Sequence, residues 1–101
     1  MVRVTVSPFA LADQDEVLEY LAREAGFPTV EKYDRAFRAL LSRLGHFPGI
    51  GAPRPALGED IRIYTIHPYV VIYEWMHGGD SLVVHRVVHG RRDIRADMIP
   101  R

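Results

Sequence analysis

The residues best equipped for chemistry crowd towards the carboxy-terminal end: His85, Arg86, His89, Arg91, Arg92 and Arg95. Imidazole titrates near neutrality and can move protons, while the planar donors of guanidinium match carboxylates and phosphates. With Arg62, all of these but Arg95 could hold a phosphate and cleave RNA, a reaction that needs a base near the 2′-hydroxyl, an acid for the leaving oxygen and cations around the phosphate. It would serve equally as a non-catalytic surface that grips a large partner. A metal site is not expected. His85 and His89 are four apart, and along a strand that spacing spans about 13 Å, too far for shared ligation; there is also no cysteine. His89, just before Gly90, reads first as a hydrogen-bonded strand-end residue and second as a catalytic base. Arg86 reads equally well as a structural partner of Glu74 on a neighbouring strand, and Asp93 as the cap of a final short helical turn.

Elements must position these residues. Val2, Val4 and Val6 alternate with Arg3, Thr5 and Ser7, the period-two signature of a strand with one buried face. Ser7-Pro8 then starts a helix, since serine caps free amides and proline at the first position lacks the N–H that would be orphaned. Its inward stripe is Ala10, Leu11, Val17, Leu18, Leu21 and Ala25, with Asp13, Asp15, Glu16 and Glu19 turned to water, and Gly26 ends it. After a Phe27-Pro28 connection, Val30, Tyr33, Phe37, Leu40, Leu41 and Leu44 mark a second amphipathic helix that stops at Gly45. So short a link makes the two helices an antiparallel hairpin.

His46 to Gly58, rich in Gly and Pro, reads as an irregular surface loop. Three β-rich runs follow, Ile61 to Ile66, Tyr69 to Trp75 and Leu82 to Val88. His67-Pro68 reverses the chain between the first two, and His77-Gly78-Gly79-Asp80 joins the last two through glycines that tolerate positive φ. The expected fold is α+β: an amino-terminal strand, then a two-helix hairpin packed on one face of a mostly antiparallel sheet with three carboxy-terminal strands. Val4, Leu21, Phe37, Leu40 and Ile72 fall on predicted core faces.

Length and composition set the limits. At 101 residues the chain is the size of one domain, taken as 1–101, and 48% hydrophobic with 26% charged residues is ordinary for a globular protein. The absence of cysteine removes disulfides and fits a reducing cytoplasm. Met1 to Ser7 does not read as a secretory signal, and no window approaches the apolar length of a membrane span, so no membrane association is expected. The 13 basic and 13 acidic residues cancel, but acids crowd the first third, whereas Arg86, Arg91, Arg92, Arg95 and Arg101 make the last segment basic. Arg35 and Arg38 of the second helix, by contrast, have acidic neighbours.

Four passages carry a resemblance over nearly the whole chain: VTVSPFALAD at the first strand-to-helix junction, HFPGIG followed by LGEDIR, the strand YVVIYEW, and the closing RVVHGRRDI from Arg86 to Ile94. The last is the most specific. In this order and spacing they resemble the RelE/ParE toxin superfamily, and the ParE type within it. The resemblance implies a RelE/ParE-like fold and a toxin of a type II toxin–antitoxin system, without cofactor or metal. It implies a ParD-like antitoxin as partner in a hetero-oligomer, whose carboxy-terminal segment wraps the toxin and through whose amino-terminal part alone operator DNA is met. The target implied for ParE members is DNA gyrase; members resembling RelE instead cleave messenger RNA on the ribosome.

The residues favour the first branch. RelE-like nucleases generally supply lysines and arginines from the middle strands and often a tyrosine or histidine near the carboxy terminus, yet the only lysine here is Lys32, no tyrosine follows Tyr73, and Arg95 to Arg101 offers no acid or base besides Asp97. No catalytic residues are therefore assigned; an endoribonuclease is the alternative, and a member kept only for autoregulation a third reading. Arg86, His89, Arg91, Arg92 and Arg95 are the expected target-binding residues, on a strand end and tail free to reach a large partner. The antitoxin is expected along the apolar surface of hairpin and sheet, at Leu11, Leu18, Tyr33, Phe37, Tyr64, Tyr73 and Trp75.

Overall fold

A computed structural model describes residues 1–100; Arg101 lies outside the described residues. Strand β1 (Arg3–Val6) leads directly into helix α1 (Pro8–Glu24) and helix α2 (Phe27–His46). Then come β2 (Ala52–Pro53), β3 (Ile61–Ile66), β4 (Tyr69–Trp75) and β5 (Ser81–His89), with short 3-10 turns at Met76–Gly78 and Ala96–Met98. Among the described residues the strands form one five-stranded sheet in the order β1-β5-β4-β3-β2, parallel only where β1 meets β5. The fold is α+β, as expected, with the helical hairpin on one face of a mostly antiparallel sheet.

Local chemistry explains the helix boundaries. The Ser7 hydroxyl accepts the Ala10 N–H at 3.0 Å and Pro8 opens α1. At the other end Gly26 takes φ +88, and its N–H reaches the Leu21 carbonyl at 3.0 Å. Phe27 and Pro28 belong to α2 and not to a connection, so Ala25-Gly26 alone joins the helices. Nor does Gly45 end α2. The helix runs on to His46, and the buried Gly45 offers its carbonyl to the Val2 N–H at 2.9 Å, tying helix end to strand start.

The helix side of the sheet buries Ala10, Leu21, Phe37, Leu40 and Leu44 against Tyr69, Val71, Tyr73, Leu82, Val84 and Val87. Two members of the expected α1 stripe, Leu11 and Ala25, are exposed instead. The opposite face is also covered, which sequence periodicity did not predict. Leu57 from the loop and Ile94, Met98 and Ile99 from the segment after β5 fold over Ile61, Val70, Ile72 and Val88.

His46 to Gly58 is thus more than a surface loop. It contains β2, buries Leu57 and is drawn inward by Tyr73, whose hydroxyl donates to the Pro48 carbonyl at 2.7 Å and accepts the Gly51 N–H at 2.8 Å. Gly51 fits because a Cβ there would lie 2.5 Å from the Ile63 carbonyl and 2.8 Å from the Tyr73 ring. In the turn before β5, positive φ falls on His77 and Gly78 and not on Gly79. The His67–Pro68 bond between β3 and β4 is cis.

Candidate functional site

The basic end is built on the last half of β5, where β1 has stopped and the strand would present a bare edge. Helix α1 covers that edge. The Ser7 hydroxyl donates to the His85 carbonyl at 2.9 Å, and Asp13 accepts the Val87 N–H at 2.9 Å. Asp13 also takes Arg86 Nε at 2.7 Å and Nη2 at 3.0 Å, while Arg86 Nη1 donates to the Met98 carbonyl at 3.0 Å. One guanidinium therefore ties α1, β5 and the returning tail together.

This corrects three expectations. Asp13 is turned inward and not to water, with its side chain 13% exposed. Glu74 is not the partner of Arg86; it accepts His85 Nε2 at 2.8 Å. Arg86 itself, 17% exposed and with all three guanidinium nitrogens engaged, is removed from the surface available to a target. The hydrogen bonds it donates to Asp13 raise the Arg86 pKa further above its already high ordinary value, against the opposing effect of burial.

Beyond Val88 the chain turns outward. Gly90 N–H donates to the Pro68 carbonyl at 2.7 Å, Arg92 N–H to the His89 carbonyl at 3.0 Å and Arg91 N–H to His89 Nδ1 at 3.0 Å. The His89 ring meets Tyr69 edge-on at 5.7 Å. His89 is thus the hydrogen-bonded strand-end residue that its place before Gly90 suggested. Arg91 and Arg92 follow on this pinned turn, both exposed and neither ion-paired among the described residues. Arg92 borders a cleft of roughly 560 Å³ on the helix side, together with Glu16, Tyr20, Tyr33 and His89. Arg91 borders a smaller one on the other side, near Thr65 and His67.

The tail is not free, contrary to expectation. Asp93 caps no helix; the Ala96–Met98 turn begins after Arg95, whose guanidinium pairs with Asp97 at 3.3 Å, and Met98 and Ile99 are buried. The six residues of the imagined phosphate face are not brought together either. Arg62 sits opposite Tyr73 on β4 and His89 opposite Tyr69, at the far end of that strand. Arg62 Nη1 donates to the carbonyls of Gly49 and Gly51 at 3.0 and 2.7 Å, with its guanidinium over Trp75.

Of the residues expected to meet an antitoxin, Phe37 and Tyr73 are core, at 2% and 0% exposure, and cannot be touched from outside. Burial, with smaller opposing effects from Gly51 and Arg62, raises the Tyr73 pKa above its ordinary value. Leu11 is exposed, and Leu18, Tyr33, Tyr64 and Trp75 are partly so. The inward role of Asp13 had a signal in the sequence. Positions 10, 13, 17 and 21 form one helical stripe, so an acid at 13 must find a buried cation. The loop-holding role of Tyr73 had none.

Comparison with known proteins agrees with this architecture. The model of the ParE toxin of type II toxin–antitoxin systems, parDE, matches residues 4–94. The Toxin ParE3 of Caulobacter vibrioides is 24% identical over 86 residues, covering 85% of this chain and 84% of that protein. A solved structure described as the chromosomal ParDE TA system from P. aeruginosa superposes with a TM-score of 0.61 at 19% identity, covering 88% of this chain and 96% of that one. The likeness in fold therefore holds at low identity, and the family match runs from β1 through the turn that carries Arg91 and Arg92. This chain belongs to the ParE toxin family of type II toxin–antitoxin systems.

Proposed function

We propose that this chain, acting as one domain in the cytoplasm, inhibits DNA gyrase by binding it, without cofactor or covalent chemistry, and that a cognate ParD-like antitoxin neutralises it and supplies the contact to operator DNA. The observation behind the reading is the pair Arg91 and Arg92, with His89 beside them and Arg95 just beyond. They are exposed cations on a turn fixed by backbone hydrogen bonds to the sheet. Arginines preorganised in this way meet a large partner at little entropic cost. His85 is held by Glu74, Arg62 by loop carbonyls and Arg86 by Asp13, which leaves few groups for acid–base cleavage of RNA.

A supercoiling assay with purified gyrase tests it. Wild-type protein should inhibit, and Arg91→Ala with Arg92→Ala should lose inhibition while keeping its melting temperature and its affinity for the antitoxin. A double variant as inhibitory as wild type would sink the assignment of the basic end. Depletion of translated messages without DNA breaks, abolished by His85→Ala or His89→Ala, would replace gyrase binding by endoribonuclease activity. Growth unaffected by induced expression would favour a purely autoregulatory member.

A further inference from the structure

We infer that the groove between α2 and the open edge of β3 takes an extended, acidic and apolar segment of the antitoxin, which adds to the sheet beside Thr65. The inference rests on the reading above that an antitoxin binds this chain. Ile61 turns its carbonyl outward to accept the Arg54 N–H at 2.9 Å, so by the alternation of a strand Ile63 and Thr65 turn their backbone groups the same way. Strand β2 pairs only with Arg62 and Ile63. Among the described residues no strand pairs with Thr65 on that side, and the Tyr73 hydroxyl holds the loop before β2 through the Pro48 carbonyl and the Gly51 N–H. An unpaired edge of this kind is a template for a further strand.

The walls of the slot select its occupant. Lys32, Arg35, Ala39, Arg43 and His46 recur at three- and four-residue spacing along one exposed stripe of α2, and none of the four basic residues is ion-paired among the described residues. Two hollows lie along this stripe. One of about 640 Å³ exposes Phe47, Ile50 and Trp75; the other, about 310 Å³, is floored by Ala36, Leu40 and Ile66. Arg43 lines both and donates to the Tyr64 hydroxyl at 3.3 Å. No carboxylate lines either. A second copy of this chain would bring one cationic stripe against another, whereas an acidic peptide with apolar anchors meets opposite charge, apolar hollows and a free strand edge together.

The test uses the complex co-purified with the protein encoded beside this chain. In it, the Thr65 amide should exchange at least about a hundredfold more slowly than in the free toxin. Arg43→Glu with His46→Glu, at exposed positions where melting should not change, should weaken binding by about tenfold or more, and Thr65→Pro should do the same if it folds. Arg91→Ala with Arg92→Ala should bind normally. A complex that forms with Thr65 exchanging as fast as in the free protein, or a charge-reversed variant that binds like wild type, would overturn the groove while leaving the antitoxin reading intact. Competition by a single-stranded oligonucleotide for the same edge would likewise overturn it. Failure of the wild-type chain to form any complex would overturn both.

Discussion

Asp13 and Arg86 are 73 residues apart in sequence and form a two-pronged ion pair, at 2.7 and 3.0 Å, that closes α1 over the end of β5. Both side chains are largely shielded from water. Asp13→Ala should destabilise the fold by about 3 kcal/mol, since it strands a partly buried guanidinium and frees the Val87 N–H. Urea unfolding measures it. The double replacement Asp13→Leu with Arg86→Met should lose less than the sum of the single changes, because an apolar pair leaves no charge unpaired.

Tyr73→Phe removes one hydroxyl that satisfies two loop groups, the Gly51 N–H and the Pro48 carbonyl. A loss of about 1 to 3 kcal/mol is expected, with faster amide exchange at Gly51 while α1 stays protected. Gly51→Ala should be worse tolerated than an alanine at an open glycine, because its methyl meets the Ile63 carbonyl.

Stability should fall as pH rises above 10. Burial raises the pKa of both Tyr69 and Tyr73 above their ordinary 10.0 in the folded state. The unfolded chain therefore loses these protons first, so the stabilisation is complete below pH 10 and is lost as pH climbs through the folded values. Melting temperatures between pH 8 and pH 11 should show the decline, and Tyr73→Phe should flatten it.

Phe37→Ala and Leu40→Ala should each cost about 2 to 5 kcal/mol, since both side chains are sealed between α2 and the sheet. Leu11→Ala, on a half-exposed position of α1, should stay within about 0.5 kcal/mol of wild type. Equal losses at Leu11 and Leu40 in thermal melts would overturn the assignment of helix faces.

Much of this fold was legible because periodicity is a local property. Strands Ile61–Ile66 and Tyr69–Trp75 and the helix start at Pro8 fall where β-rich composition and capping chemistry put them. What escaped depends on residues far apart in sequence. Nothing near Arg86 says that its carboxylate is Asp13 and not Glu74, and the inward set of Met98 and Ile99 follows from an uncovered sheet face that only the assembled strands create. The same gap explains why Phe37 and Tyr73 looked like contact residues. An aromatic on a strand or helix is apolar surface for a partner or for the core, and depth alone decides which.

The parallel pairing of β1 with β5 carries a further consequence, for the order of events during synthesis. Arg3 to Val6 leave the ribosome early, but their partners, Ser81 to Val84, are among the last to be made. Until then the first strand has no strand to pair with, and α1 has neither Arg86 to hold Asp13 nor the β5 backbone beneath it. The contacts that close the domain are its longest in sequence, the kind that slow folding and leave nascent chains exposed to other proteins. The cationic turn at Arg91 and Arg92 takes its fixed shape only after that closure, so a truncated or still-emerging chain lacks the surface assigned to the target.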